Sequence, residues 1–425
     1  MDINSGDLKL ELTSLCNRVG LPAGDQPQPA YLLTQLGPNL SAVNHRLPLN
    51  IAVILDHSSS MMEDGLPVFK QALKDLVDQL QTMDHFSLVS LAGSAIIPAQ
   101  PVQEKARLKH QIDQIAMTNQ VLSAAGLAEG LAQAQIHRSP GASSRILLIL
   151  GGELEASASE LESLADQAGY SSIPISVIGF GNNWDDQRWI ELADRSLQAP
   201  PGSLSGSVEY ISALEEAAEA MQRVYRSLPV VARDVHLTMR FMRGVEVQHA
   251  WRVIPTIHGI DLPQPAGQAV VLQAAELSME GAAYLLETVL PPRAAGQVRV
   301  AQMEVSYRSV DDRILKQSVD LVIEFSQNIG ATNPLDSYVM NFVEMAQARH
   351  LNTAALEDLN AGNRQAAIQK FRQAAAILIS QGYRQLADRI RGEADYNIRQ
   401  YGQISAEGRK MILLNGRRVV NPEVG

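Results

Sequence analysis

Asp56, Ser58 and Ser60 stand at alternating positions in the stretch Asp56-His57-Ser58-Ser59-Ser60-Met61. Oxygen donors spaced this way in a turn can be aimed at one point. Hard oxygens of this kind suit Mg2+ or Mn2+, with water completing an octahedron. The same letters also describe an ordinary polar turn, in which Asp and Ser side chains bond the local backbone. Immediately before the turn, residues 47–55 read LPLNIAVIL, apolar enough for a strand covered on both faces, as in a parallel sheet. Ligands of open α/β sheets bind outside the carboxyl ends of the strands, which is where this turn falls.

No second chemistry competes with it. The nine His form neither HExxH nor another close metal-ligand spacing, and His57 lies inside the turn itself. Gly179-Phe180-Gly181 lacks the third glycine of a dinucleotide fingerprint, and no Walker A sequence is present. The single Cys16 excludes an internal disulfide framework and reads as a core thiol in a reducing compartment. With no nucleophile, base and orienting group converging, a non-enzyme is expected. Trp184, in the loop NNWDD, fits either an exposed anchor for a partner or a hydrophobic plug.

The elements that must position the turn follow from periodicity. Leu66, Phe69, Leu73, Leu76, Val77 and Leu80 keep helical spacing after it. Buried strands are expected at 85–93, 145–152 and 173–181, with helices near 104–115, 124–137, 158–168, 185–196 and 211–228. Strand and helix in alternation indicate a doubly wound, mostly parallel α/β sheet over 47–228. Over 229–332 the period changes to two, as in Val235, Leu237, Met239 and Phe241, which indicates an antiparallel β-sandwich. Residues 1–46 hold two more strands, one around Leu8, Leu10 and Leu12 and one in AYLLTQL (30–36). An isolated hairpin is marginal, so these strands are expected to complete the sandwich, with the α/β domain inserted into it. Residues 333–425 read as a helical domain, with Gly382 placed to end a helix.

Composition sets outer limits. The 425 residues are 46% hydrophobic and 19% charged, enough for real cores. The net charge is −11, yet from residue 327 onward 12 Lys and Arg outweigh 9 Asp and Glu, which leaves −14 on the rest. That balance argues against nucleic acid or an anionic membrane as partner. Apolar runs such as 51–55 and 146–150 are far short of the roughly 20 residues a membrane span needs. The start MDINSGDLKLEL lacks the basic and apolar regions of a signal peptide, so a cytoplasmic protein is expected.

Taken with its flanking strand and helix, DxSxSM resembles the von Willebrand factor type A (VWA) fold. The resemblance extends over 48–226, through DHFSLVSL, LSAAGLAEGL, RILLILGGE and VIGFGNNWDDQRWIELADRS. LETVLPPRAAGQVRVAQMEVSY and the ending ISAEGRKMILLNGRR are similar to bacterial proteins that join a VWA domain, a β-sandwich and a helical tail. The resemblance implies a metal-ion-dependent adhesion site, in which Asp56, Ser58 and Ser60 would hold Mg2+ or Mn2+. A partner's acidic side chain would complete the coordination. His57 and Trp184 are candidate partner-binding residues on the same face, although the x position of His57 points away from the ion and fits solvent or loop packing.

Two positions depart from that pattern. The second loop puts Val121 or Ala125 where the family has Thr, with Thr118 and Ser123 as candidate helpers. The third loop puts Gly151 where the family has Asp, with Glu153 or Glu155 placed to reach back. One carboxylate and two hydroxyls neutralise a divalent ion poorly, so a metal and no metal stand level. The expected function is a non-enzymatic protein–protein interaction module acting through the top face of the VWA domain. A metal-independent scaffold or assembly subunit is the alternative. A MoxR-type ATPase or a signalling protein as partner is implied by the resemblance alone.

Overall fold

The computed structural model describes residues 10–39, 46–61, 64–139, 141–197, 207–262, 269–328 and 334–417. Leu8, part of the expected first strand, and residue 333, where the helical domain was expected to begin, lie outside them. The described residues fall into two compact units: those of 46–230 form one, and those of 10–39 and 231–417 the other.

Three strands precede the α/β unit: β1 (Leu10–Cys16), β2 (Gly20–Pro22) and β3 (Gln28–Pro38). The α/β unit then supplies β4 (Leu49–Leu55), β5 (His85–Ser90), β6 (Ser94–Pro101), β7 (Ser143–Leu150), β8 (Ile175–Phe180) and β9 (Val208–Ile211). They form a six-stranded sheet in the order β6-β5-β4-β7-β8-β9. All neighbours run parallel except β5 and β6. Every residue of β4, β7 and β8 is buried, which is why those segments read as continuous apolar runs. Between the strands lie α1 (Gly65–Gln79), α2 (Lys105–Asp113), α3 (Ala124–Ile136), α4 (Ala158–Tyr170) and α5 (Asp186–Ser196), and α6 (Ala217–Ser227) closes the unit.

Leu49, Ile51, Val53 and Leu55 of β4 share one core with Phe69, Leu73, Leu76 and Val77 of α1 and with Met221 and Val224 of α6. On the opposite face α3 comes very close. A Cβ at Gly126 would strike the Leu91 backbone, and one at Gly130 would strike the Ile54 side chain. The two glycines of LSAAGLAEGL are therefore needed for helix-to-strand approach. Of the expected helices, 211–228 is the one that changes: its first residue ends β9, and the helix proper starts at Ala217.

After the insertion come β10 (Val230–Phe241), β11 (Glu246–Ile254), β12 (His258–Gly259), β13 (Ala269–Ser278), β14 (Ala282–Leu290), β15 (Gly296–Ser309) and β16 (Ile314–Ser326). They make two five-stranded sheets, β1-β3-β14-β11-β12 and β13-β10-β15-β16-β2. The N-terminal strands thus enter both sheets: β3 pairs with β14, and β2 runs parallel to β16. Leu10, Leu32, Leu36, Leu237, Met239, Tyr284, Met303, Tyr307 and Phe325 meet in the core between the sheets. The Leu10 N–H donates to the Tyr307 hydroxyl at 3.0 Å.

The helical segment comprises α7 (Ser337–Asn360), α8 (Arg364–Ser380), α9 (Arg384–Gly392), a π turn (Glu393–Asn397), α10 (Ile398–Tyr401) and α11 (Ala406–Leu414). It clusters with the sandwich in one compact unit. Gln35 donates to the Tyr338 hydroxyl at 2.6 Å, and the Asp336 N–H donates to the Asn17 carbonyl at 2.9 Å. Among the described residues no helix is long and apolar enough to cross a membrane.

Candidate functional site

Strand β4 delivers Asp56 to the carboxyl edge of the sheet. The Asp56 N–H donates to the Ile149 carbonyl at 2.8 Å, extending the β4–β7 ladder by one rung and fixing the backbone beneath the carboxylate. The chain then tightens into a 3-10 turn over Ser59–Met61, with Met61 buried beneath it. Asp56 itself is fully buried. Its Oδ1 accepts from the Ser58 N–H at 2.9 Å and from the Ser58 hydroxyl at 2.7 Å. Its Oδ2 accepts from the Ser60 hydroxyl at 2.9 Å and from the Gly151 N–H, on the third loop, at 2.9 Å. The Ser58 and Ser60 hydroxyls lie 2.5 Å apart. The three motif residues do converge, as their spacing predicts.

The second loop runs beside them. Ser58 and Thr118 form a parallel backbone bridge, and the Thr118 N–H donates to the His57 carbonyl at 2.9 Å. The Thr118 hydroxyl is engaged within its own loop, accepting from the Gln120 N–H at 3.2 Å. Both ring nitrogens of His57 are engaged, with the Ala116 carbonyl at 2.7 Å and the Ser90 hydroxyl at 2.8 Å. His57 therefore ties the second loop to the end of β5. Ser123 stands at the N-cap position of α3 without a side-chain capping bond, and its segment pairs through backbone with that of Glu155. Val121, at one of the two positions where the resemblance calls for Thr, is 58% exposed, and Met117 is 40% exposed.

On the far side, Glu153 and Glu155 are exposed. Glu153 lines a cavity of about 210 Å³ with Leu154, Trp184, Asp185, Arg188 and Trp189. Trp184 is only 4% exposed and donates its indole N–H to the Gly181 carbonyl at 2.8 Å. Its ring lies where a side chain at Gly179 would stand, so Gly179 is the residue that lets it seat. The plug reading of Trp184 is correct and the exposed anchor is not. Spacing could not separate the two, because the decisive glycine lies five residues earlier on β8.

The VWA resemblance implies a divalent ion at this turn, and the residues present do not fit one. The Asp56 carboxylate already accepts from the Ser58 and Gly151 N–H groups, and the Ser58 and Ser60 hydroxyls crowd its two oxygens. It brings a single negative charge, and the third-loop position that should add another is Gly151. No group of three His, Cys, Asp or Glu converges among the described residues. Mg2+ sheds its waters reluctantly and needs more charge than this set provides. Elsewhere, burial pushes the Cys16 thiol up to about 11, which removes it as a nucleophile near neutral pH.

Sheet order, insertion and loop geometry together define the class. Residues 50–200 match the von Willebrand factor type A domain, and residues 337–422 match the Sll0103-like C-terminal alpha-helical domain. The chain carries a VWA domain followed by that helical domain. Its sequence is 22% identical over 377 residues to the uncharacterized protein sll0103 of Synechocystis sp. (strain ATCC 27184 / PCC 6803 / Kazusa), covering 87% of each chain. Its fold is similar to a von Willebrand factor type A protein from Catenulispora acidiphila, with a TM-score of 0.67 at 15% identity. That match covers 98% of this chain and 99% of the other. The ArnB paralog VWA2 from Sulfolobus acidocaldarius matches with a TM-score of 0.50 at 13% identity, covering 96% of this chain and 98% of that one. VWA domains commonly serve as protein-interaction modules.

Proposed function

We propose that this chain is a non-enzymatic protein-interaction module that docks a protein partner on the loops at the carboxyl edge of its VWA sheet, without a resident metal. The second loop carries this reading. At one of the two positions where the family offers a Thr, the chain holds out Val121, with Met117 exposed four residues earlier. The loop is pinned to the adhesion motif through Thr118 and His57. Apolar side chains presented on a pinned loop gain free energy when a partner covers them. Carboxylates of Glu153, Glu155 and Asp185 are exposed on the neighbouring loops. An acidic partner side chain would meet three exposed carboxylates there, against the single guanidinium of Arg188. The complementary partner surface is apolar at its centre and basic at its rim.

The test uses the full chain as bait in a native extract, with captured proteins quantified by mass spectrometry. The double variant Met117→Glu/Val121→Glu is expected to lose the specific partner at least about tenfold, a cost of roughly 1.4 kcal/mol. Its far-UV circular dichroism should match the wild type. Capture that survives in this variant, but disappears when the helical segment's surface is altered, would place the interface elsewhere and defeat the proposal.

A further inference from the structure

We infer that the adhesion motif of this VWA domain has become an internal, metal-free clasp, in which Asp56 ties the first loop to the third. The inference holds whether or not the face docks a partner, because it rests on the inside of the site.

The clasp is visible in the third loop. The Gly151 N–H donates to Asp56 Oδ2 at 2.9 Å across 95 residues of sequence, joining the ends of β4 and β7. The space a third-loop side chain would need is already filled by the first loop. A Cβ at Gly151 would come 2.7 Å from Met61 Sδ and 3.0 Å from the Ser60 carbonyl oxygen. A Cβ at Gly152 would come 2.6 Å from Ser60 Oγ. Neither glycine has a positive φ, so both are there for room and not for backbone freedom. Loss of the acid and closure of the loop are one change: removing the side chain at 151 lets Ser60 and Met61 settle onto the third loop. The hydroxyl spacing agrees. Two oxygens at neighbouring corners of a Mg2+ octahedron are about 2.9 Å apart. Ser58 Oγ and Ser60 Oγ, at 2.5 Å, would have to part to admit the ion.

The experiment is a metal titration followed by thermal unfolding of the full chain. EDTA-treated wild type should show the same midpoint alone, with millimolar MgCl2 and with millimolar MnCl2, since a ligand that binds only the native state must raise it. Asp56→Ala should lower the midpoint equally in EDTA and in Mg2+. Gly151→Asp alone should also lower it, with no recovery on adding metal. Gly151→Asp combined with Met61→Ala, which clears the sulfur from the new side chain, should gain a midpoint that rises with Mg2+ or Mn2+. A wild-type midpoint that rises with either metal overturns the inference. So does Gly151→Asp alone becoming metal-responsive, because the site would then be open. The wild-type titration decides the matter even if a variant does not fold.

Discussion

At Asp84 one buried carboxylate organises the entry to the inserted unit. Asp84 and Arg46 are both buried and form a two-pronged pair, at 2.9 Å to Oδ1 and 2.5 Å to Oδ2. Asp84 also accepts the Leu49 N–H at 2.8 Å and the Gln81 N–H at 2.7 Å. Removing one member of a buried pair strands the other charge, so Asp84→Ala should cost about 3–5 kcal/mol in urea unfolding. A loss of about 1 kcal/mol or less would mean that the pair behaves as an exposed one. Side-chain partners of this kind are invisible in sequence, since residues 46 and 84 carry no motif. The candidate site shows the same limit. The convergence of Asp56, Ser58 and Ser60 was legible because local spacing fixes it. The closure of the site was not legible, because the fourth donor to Asp56 comes from Gly151, and Met61 claims a place known only once the strands are paired. His57 and Trp184 are settled by tertiary neighbours: the His57 ring meets the Ala116 carbonyl and Ser90 at the end of β5, and the Trp184 ring seats over Gly179 of β8.

Among elements, the buried strands and amphipathic helices were legible wherever one period ran for two turns or more. Three edge strands, β6, β9 and β2, were not, although the edge strand β1 was. β6 contains Pro98 and Pro101, β9 has four residues, and β2 has three, ending in Pro22; none is long or regular enough to show a period. Helix ends were better marked. Gly382 follows α8 with φ +86°, and the Tyr383 N–H reaches back to the Leu378 carbonyl at 2.8 Å while the Gly382 N–H meets that of Ile379 at 3.1 Å. This is the two-bond closure that favours glycine. No neighbour would touch a Cβ at Gly382, so Gly382→Ala isolates the backbone cost, expected at about 1–2 kcal/mol. Gly392, at the end of α9, has equally open space but helical angles, φ −56° and ψ −45°. Gly392→Ala should therefore stabilise by about 0.5–1 kcal/mol. Denaturant midpoints moving in the same direction for both variants would contradict this assignment of the two glycines.

At the scale of the whole molecule, the groups that matter in acid gather in one unit, the α/β unit. Glu160 is held below the usual range by the Ser157 N–H and hydroxyl, Asp113 by Lys74, and Asp166 by Arg195. Burial lowers His85, and the stacked ring of His137 lowers it further, against an opposing pull from Asp84. On the alkaline side, burial raises Cys16, Tyr31, Tyr284 and Tyr307 in the sandwich and Tyr225 in the α/β unit. The sign for His85 follows from linkage. The unfolded chain takes up a proton near 6.5 and the folded chain resists until lower pH, so the contribution to stability is present above 6.5 and is lost as pH falls through the folded value. The three carboxylates add a second loss of the same sign below about pH 4.5, the upper end of their ordinary values. Trp184 and Trp189 report on the α/β unit and Trp251 on the sandwich, so Trp251→Phe makes the fluorescence specific to the inserted unit. In that background the unfolding midpoint should fall between pH 7 and 5.5, and His85→Asn should flatten the slope over that window while leaving the loss below pH 4.5 in place. An unchanged midpoint from pH 7 to 5.5, or a slope untouched by His85→Asn, would assign the neutral-range sensitivity to some other group.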